Sequence, residues 1–237
     1  MIHPPQQFIA RFEDKQQLND KFWLYSFELE NPFRMEFEAG QYVSIKINAQ
    51  GERRAYSIAS SPEVNHGFEL LLDVEPNGLG VHYLQNLQFG DKVSMMSPMG
   101  RFVLQQEPRE AALTLVATGS GIAPLRGMVL WLLQAQHDTR PIVLHWGLRS
   151  TDHLAWEEDF TDLMQAFPNF KFHPVISQAP QAWPLCKGHV TDCLNYHQHL
   201  PESGYYLCGS REMVEDTKAL LLAKGISPMA IHHEMFS

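Results

Sequence analysis

The sequence predicts two folded parts: an antiparallel β-barrel or sandwich over residues 1–107, then an α/β unit with a parallel sheet over residues 108–237. Three observations carry this reading. Before residue 108, short β-branched and aromatic segments alternate with Gly, Pro and Asn turns, and no long helical pattern separates them. Beyond it, apolar runs lead repeatedly through a Gly-containing turn into a helical pattern, the order that builds βαβ units. Between the two, Gln105–Glu110 (QQEPRE) is polar and contains Pro108, as a linker would.

In the first part the expected strands are Phe22–Phe27, Gln41–Ile47, Arg54–Ala59, Phe68–Val74 and Lys92–Met96. Turns at Pro76-Asn77-Gly78 and Phe89-Gly90-Asp91 punctuate them, and Val81–Leu87 forms one short helix. In the second part Ala112–Ala117 is a compact apolar run, as expected of a strand buried on both faces. It leads through Thr118-Gly119-Ser120-Gly121 into a helix over Ala123–Gln136. Ile142–Trp146 leads through Gly147 into a helical pattern over Leu154–Phe167. Phe170–Ile176 is a strand, Gly188–His197 a helix, and Tyr205–Leu207 a strand that passes Cys208-Gly209-Ser210 into the helix Glu212–Lys224.

Composition narrows the function. The chain has 237 residues, 44% hydrophobic and 19% charged, with a formal net charge of −9. A global electrostatic footprint for nucleic acid is therefore missing. Three cysteines, Cys186, Cys193 and Cys208, are too few for a disulfide framework or the four thiolates of an iron–sulfur cluster. No Cys-x-x-Cys or His-Glu-x-x-His occurs, so no metal site is expected, and Cys186 and Cys193 read as small buried hydrophobes. No Gly-x-Ser-x-Gly elbow is present, which removes an α/β-hydrolase. The N-terminus does not read as a signal peptide, and no apolar run approaches the ~20 residues of a membrane span. The expectation is a cytoplasmic protein.

The motifs point to a nucleotide. Ligands of open α/β sheets bind beyond the carboxyl ends of the strands. Three such ends carry Gly119/Gly121, Gly147 and Gly209. In Thr118–Pro124 (TGSGIAP), glycines after a buried strand turn backbone N–H groups toward phosphate oxygens at a helix start. Alone, such a turn is more often only a strand-to-helix connection; its context favours the phosphate. In Arg54-Ala55-Tyr56-Ser57, strand alternation sets Arg54 beside Tyr56 on one face, a guanidinium and an aromatic plane suited to a phosphorylated flat ring. Ser57 falls on the opposite side. Arg149 and Ser150 stand where a 2′-phosphate would be met, and no acidic residue directly follows Gly147, a slight lean to NADPH.

Taken in order, five segments resemble the ferredoxin–NADP reductase superfamily of flavoproteins, most of all its single-component bacterial flavin and flavodoxin reductases. They are RAYSIASSP (54–62), FGDKVSMMSPMGRF (89–102), TGSGIAPLRGM (118–128), IVLHWGLRSTDHL (142–154) and LCGSREMVEDTKALL (207–221). The resemblance implies an N-terminal flavin-binding antiparallel β-barrel, a C-terminal NAD(P)-binding domain, and FAD in preference to FMN. It implies that Arg54 binds the flavin phosphate, Tyr56 stacks on the ring and Ser57 hydrogen-bonds near N5. Thr118, Gly119, Ser120 and Gly121 would face the dinucleotide pyrophosphate, and Cys208 and Gly209 would flank the nicotinamide. Glu234 would be a carboxylate near the flavin and Phe236 a shield for its ring. Ala55, Val74, Asn77, Gly80, Val81, Arg149 and Met213 complete the cofactor-binding set, and Ser57, Cys208 and Glu234 are the catalytic candidates. Two departures stand out: Val81 replaces the hydroxyl residue usual after the glycines of the flavin-phosphate turn, and Arg211 stands where Pro is common.

The implied chemistry is hydride transfer from nicotinamide C4 to flavin N5, the protein supplying orientation and a dry contact. Electrons then pass to a separate acceptor: a ferredoxin or flavodoxin, an oxygenase component, or free flavin. The competing reading is a degenerate nucleotide-binding regulatory subunit without turnover. Intact Arg54, Tyr56, Ser57 and Cys208 argue against it; Val81 is its one point of support.

Overall fold

The computed structural model describes residues 4–105, 110–196 and 202–236. The chain divides into two compact units. The expected boundary at 107/108, most of the linker and the end of the helix expected over Gly188–His197 lie outside the described residues.

The first unit contains the described residues up to Leu104 together with Arg126–Gln136. Its strands are β1 (Gln6–Gln17), β2 (Phe22–Asn31), β3 (Tyr42–Lys46), β4 (Arg53–Ser57), β5 (Gly67–Asp73) and β6 (Lys92–Met99). They pair antiparallel in the order β4-β3-β6-β1-β2-β5. The two edges meet where Ile58 bridges Leu70 and the Ala59 N–H donates to the Glu69 carbonyl at 2.8 Å, which closes the sheet as a barrel. Closure removes the exposed strand edges that an open sheet would carry. Inward-facing Phe8, Ala10 and Phe12 of β1 alternate with the partly exposed Ile9, Arg11 and Glu13 and join Tyr25, Phe27 and Phe68 in the core. Phe27 stacks on Phe68 with ring centroids 5.1 Å apart. The helix α1 (Leu79–Gln85) lays Val81 and Leu84 into this core.

Helix α2 (Ile122–Leu130) occupies the expected place, and its last turn widens into a π-helical turn over Trp131–Ala135. From Arg126 onward these residues belong to the barrel unit. Arg126 Nη1 donates to the Ala59 carbonyl at 2.9 Å and pairs with Glu69 Oε2 at 2.8 Å. Gly127 lies against the same backbone, since a Cβ there would stand 3.0 Å from the Ser60 carbonyl oxygen.

The second unit holds β7 (Ala112–Thr118), β8 (Ile142–Leu148), β9 (Phe170–Ile176), β10 (Cys186–Lys187), β11 (Ser203–Ser210) and β12 (Ile231–Phe236). All pair in parallel, in the order β10-β9-β8-β7-β11-β12. Helices α3 (Glu157–Ala166), α4 (Val190–Tyr196) and α5 (Arg211–Ala223) connect them. Strand order runs outward from β7 through β8 and β9, then resumes on the other side of β7 at β11. The crevice between β7 and β11 is therefore the topological switch point. The expected helix over Leu154–Phe167 starts later, at Glu157, because Thr151–His153 forms a 3₁₀ turn and Trp156 adopts a left-handed conformation with φ 56°.

Glu110 ties the base of this sheet together. Its Oε1 accepts from the Tyr206 hydroxyl at 2.9 Å, and that hydroxyl accepts from the Gln105 N–H at 2.8 Å. His232 Nε2 lies 3.4 Å from the same carboxylate, and Arg140 donates to the Glu110 carbonyl at 3.0 Å. Burial pushes the Glu110 carboxyl upward, but the hydrogen bonds from His232 and Tyr206 outweigh it and leave the group below its ordinary value.

Cys186 and Cys193 correct the expectation of two separate buried hydrophobes: they are disulfide-bonded to each other. Among the described residues, no helix is long and apolar enough to cross a membrane.

Candidate functional site

Two clusters of the expected residues form, one in each unit. In the barrel unit, β4 presents Arg54 exposed and Tyr56 half-buried, with Ser57 buried. Arg54 and Tyr56 do share a face, and Gly80 of α1 lies against both. A Cβ on Gly80 would overlap the Tyr56 hydroxyl and stand 3.0 Å from Arg54 Cγ. Only glycine lets the start of α1 come this close to the strand. Ser57 lies on the other side of the strand, as alternation requires, and is not part of this cluster.

The guanidinium of Arg54 has no carboxylate partner among the described residues; its Nη1 donates to the Arg53 carbonyl at 2.8 Å. Arg53, one position earlier, is committed to Ser44, donating to its hydroxyl at 3.1 Å and its carbonyl at 2.5 Å. Helix α1 opens at Gly78 without a side-chain cap and without an acidic residue in its first turn. Unneutralised backbone N–H groups thus stand next to an unneutralised guanidinium, a setting that favours an anion. Asn77, in the left-handed region at φ 46°, turns the chain into α1, and its N–H donates to the Val74 carbonyl at 3.2 Å. Val74 packs against the barrel core. The side chain of Val81 is buried in that core, so this position offers a ligand only its backbone. Burial pushes the Tyr56 hydroxyl up to about 12, and the phenol stays neutral at physiological pH.

In the second unit the ends of β7, β8 and β11 converge. A Cβ on Gly121 would overlap the Cys208 carbonyl oxygen, and one on Gly147 would stand 2.9 Å from Thr118 Cγ2. One on Gly209 would overlap the Thr118 hydroxyl and stand 2.9 Å from Met213 Cε. Thr118 Oγ1 accepts from the Ser210 N–H at 3.3 Å, and Trp146 Nε1 donates to the Gly119 carbonyl at 2.9 Å. These bonds hold Gly119, Ser120 and Gly121 in a tight 3₁₀ turn at the mouth of the switch-point crevice. Met213 is buried below Gly209 and shapes this floor as part of an apolar cluster. Arg149 is exposed at the end of β8, whereas the Ser150 hydroxyl is engaged with Asp152 at 3.3 Å.

Cys208 is fully buried on β11 and pairs in register with Glu234 on β12. Burial foremost, and then the Glu234 carboxylate, hold its thiol well above the ordinary range. Half-buried Phe236 pairs with Ser210 two positions further along.

Two residues have a place here that the sequence did not disclose. Arg126 fastens α2 to the closing seam of the barrel, through one residue in an otherwise apolar helical pattern. Tyr25 is buried in the core with a hydroxyl that has no hydrogen-bond partner among the described residues. It reads in sequence as one more strand aromatic.

A closed antiparallel barrel with an Arg-x-Tyr strand against a glycine-opened helix, and a parallel sheet with glycine turns at its switch point, define a two-domain class of flavin- and dinucleotide-binding proteins. Comparison with known proteins agrees. The model of the oxidoreductase FAD-binding domain matches residues 10–104, and that of the oxidoreductase NAD-binding domain matches residues 115–219. The toluate 1,2-dioxygenase electron transfer component of Pseudomonas putida is 31% identical over 231 residues, covering 96% of this chain and 67% of its own. The anthranilate 1,2-dioxygenase electron transfer component of Acinetobacter baylyi is 30% identical over 207 residues, covering 86% of this chain and 59% of its own. Among solved structures, an Amycolatopsis cytochrome P450 reductase superposes with a TM-score of 0.90 at 28% identity, over 99% of this chain and 71% of that one. A ferredoxin NADP⁺ reductase from Neisseria gonorrhoeae, with bound FAD and NADP, shares the fold at a TM-score of 0.83 and 22% identity, over 97% and 98% of the two chains. The chain belongs to the ferredoxin–NADP reductase superfamily and carries its FAD-binding and NAD-binding domains. It spans 59–67% of the length of the two curated relatives named here.

The residues present fit FAD. Gly80 leaves open the approach of α1 to Arg54 and Tyr56, and a guanidinium with no carboxylate partner among the described residues lies beside uncapped backbone N–H groups.

Proposed function

We propose that this protein is an NAD(P)H-dependent flavoprotein reductase that passes electrons to a separate acceptor, and that it acts in the cytoplasm. The observation that carries the reading is the meeting of β7 and β11: Gly121 backbone against the Cys208 carbonyl, with Gly209 against Thr118, at the switch point of a parallel sheet. Glycine turns there give a pyrophosphate close access to backbone N–H groups.

FAD, when bound, accepts a hydride and releases electrons singly. The chain's own residues bind and orient. Arg54 holds the flavin phosphate together with the N–H groups at Leu79, Gly80 and Val81. Tyr56, kept neutral, stacks on the ring. Thr118–Gly121 hold the dinucleotide pyrophosphate, and Cys208 fills the floor beneath the nicotinamide as a neutral thiol. Glu234 holds that thiol protonated by its charge, in addition to the role near the flavin that the family pattern implies for it. Arg149 meets the 2′-phosphate of NADPH. The flavin module is assigned to residues 1–107 and the dinucleotide module to residues 108–237. Acceptors among the relatives are oxygenases by name; here an oxygenase component, a ferredoxin or flavodoxin, or free flavin is the acceptor class.

The test is spectroscopic. Purified protein reconstituted with FAD is expected to show a bound-flavin spectrum that bleaches anaerobically on addition of NADPH or NADH. A bound flavin that neither coenzyme bleaches supports the regulatory subunit instead.

A further inference from the structure

The second unit holds a pair of sulfurs that this function does not use. Cys186 on β10 and Cys193 in α4 are disulfide-bonded across a sequence separation of seven. The two ends differ in access: Cys186 is half-buried in a segment whose neighbours Leu185 and Lys187 are exposed, while Cys193 is fully buried. His145 of β8, itself buried, sets its Nδ1 3.4 Å from Cys193 Sγ, and its ring stacks on His173 with centroids 5.1 Å apart. The bond fastens β10 to α4, and α4 begins at Val190. Val190 touches the end of the sheet that carries the glycine turns: its Cγ1 is 2.8 Å from where a Cβ on Gly147 would stand, and Thr118 Cγ2 is 2.9 Å from the same position.

We propose that Cys186–Cys193 is a redox-active disulfide that exchanges with external dithiols at Cys186 and, through Val190, sets the affinity of the adjoining dinucleotide site. Asymmetric access is what exchange requires, since a thiolate must reach one sulfur in line with the other. A thiolate of the dithiol attacks Cys186 Sγ. The Cys186–Cys193 bond breaks, and its electron pair leaves on Cys193 Sγ, which lies 3.4 Å from His145 Nδ1 and takes up a proton that the dithiol has released. The second thiolate of the same dithiol then attacks the dithiol's own sulfur in the mixed disulfide and releases Cys186, which takes a proton from water. The dithiol ends as a disulfide, and this chain gains two electrons and two protons. Once reduced, β10 is no longer fastened to α4, and Val190 loses its fixed seat against Gly147. The effect on affinity rests on the functional reading above; the exchange itself does not.

The experiment uses the full-length flavin-loaded protein, oxidised and then treated with dithiothreitol under native conditions. Acid quenching, alkylation in denaturant and intact mass count thiols. The expected count rises from one, Cys208, to three. NADP⁺ binding is then measured by calorimetry for the oxidised form, the reduced form and a Cys186→Ser/Cys193→Ser variant. The reduced form and the variant are expected to bind at least about fivefold more weakly than the oxidised form. A disulfide that resists dithiothreitol until the protein is denatured overturns the exchange, and so does stoichiometric zinc held by the reduced protein. Equal affinity of all three forms overturns the coupling. If no form binds NADP⁺ or NAD⁺, the functional reading fails, while the thiol count still decides the exchange.

Discussion

Cys208 and Glu234 stand opposite each other in the parallel pairing of β11 with β12, two pairs before the strand end where Ser210 faces Phe236. The placement gives the thiol a buried site and a carboxylate neighbour, and both act to keep it protonated. A thiolate would be the reactive form. On the proposed reading Cys208 stays a neutral, buried thiol beneath the nicotinamide, and its contribution is geometric.

From this follows the first expectation. Cys208→Ala should slow flavin reduction by roughly 10- to 100-fold, the effect of a lost near-attack geometry, while dinucleotide affinity stays within about twofold. Stopped-flow reduction at saturating NAD(P)H reads the first quantity and calorimetry the second. In Glu234→Gln the Cys208 thiol should titrate at lower pH, read as thiolate absorbance, because a negative charge that raises its pKa is gone.

The flavin-phosphate cluster makes a second. Arg54→Ala removes a charge-assisted contact and should weaken FAD binding by about 10- to 100-fold with little loss of stability, since Arg54 is exposed. Gly80→Ala should also weaken FAD binding, because its methyl group displaces the Tyr56 hydroxyl. Fluorescence recovery on flavin release measures both. FAD affinity equal to that of the parent in both variants would remove the cluster from the binding site.

Coenzyme choice turns on Arg149. With Ser150 engaged by Asp152, Arg149 is the group left to meet a 2′-phosphate at the end of β8. Arg149→Ala should lower kcat/KM for NADPH by about tenfold and change that for NADH by no more than about twofold. Parallel loss with both coenzymes would assign Arg149 a different role.

Glu110 contributes to the response to acid. Its folded pKa lies below the unfolded value near 4.5, so its hydrogen bonds stabilise the protein above that pH and the contribution fades as pH falls through the folded value. Glu110→Gln should be less stable at neutral pH and should flatten the loss of stability on the acid side. Urea midpoints measured between neutral pH and the onset of acid unfolding give the comparison.

How far the sequence disclosed this molecule depends on how local each signal was. Phe170–Ile176 (FKFHPVI) reads as a strand with Pro168 and Asn169 before it, and the strand has the expected bounds. β1 escaped because its outward side is Arg, Glu and Gln, which masks the inward alternation of Phe8, Ala10 and Phe12. β12 escaped because His232, His233 and Glu234 look like loop until β11 supplies a partner strand. At the site, Arg54 beside Tyr56 follows from the two-residue period of a strand, and the same period correctly separates Ser57 from them. Gly80 against that pair does not follow from any period, because it depends on where the chain returns after β5. The Gly121–Cys208 approach and the Cys186–Cys193 bond are likewise meetings of segments remote in pattern, and only three-dimensional packing brings them together.

The most direct measurement is anaerobic mixing of the FAD-loaded protein with NADPH and with NADH, followed by flavin absorbance. Bleaching that saturates with coenzyme concentration, that Cys208→Ala slows, and whose amplitude falls in Arg54→Ala in proportion to its weaker flavin binding, is the expected result. A tightly bound flavin that stays oxidised with both coenzymes would contradict it.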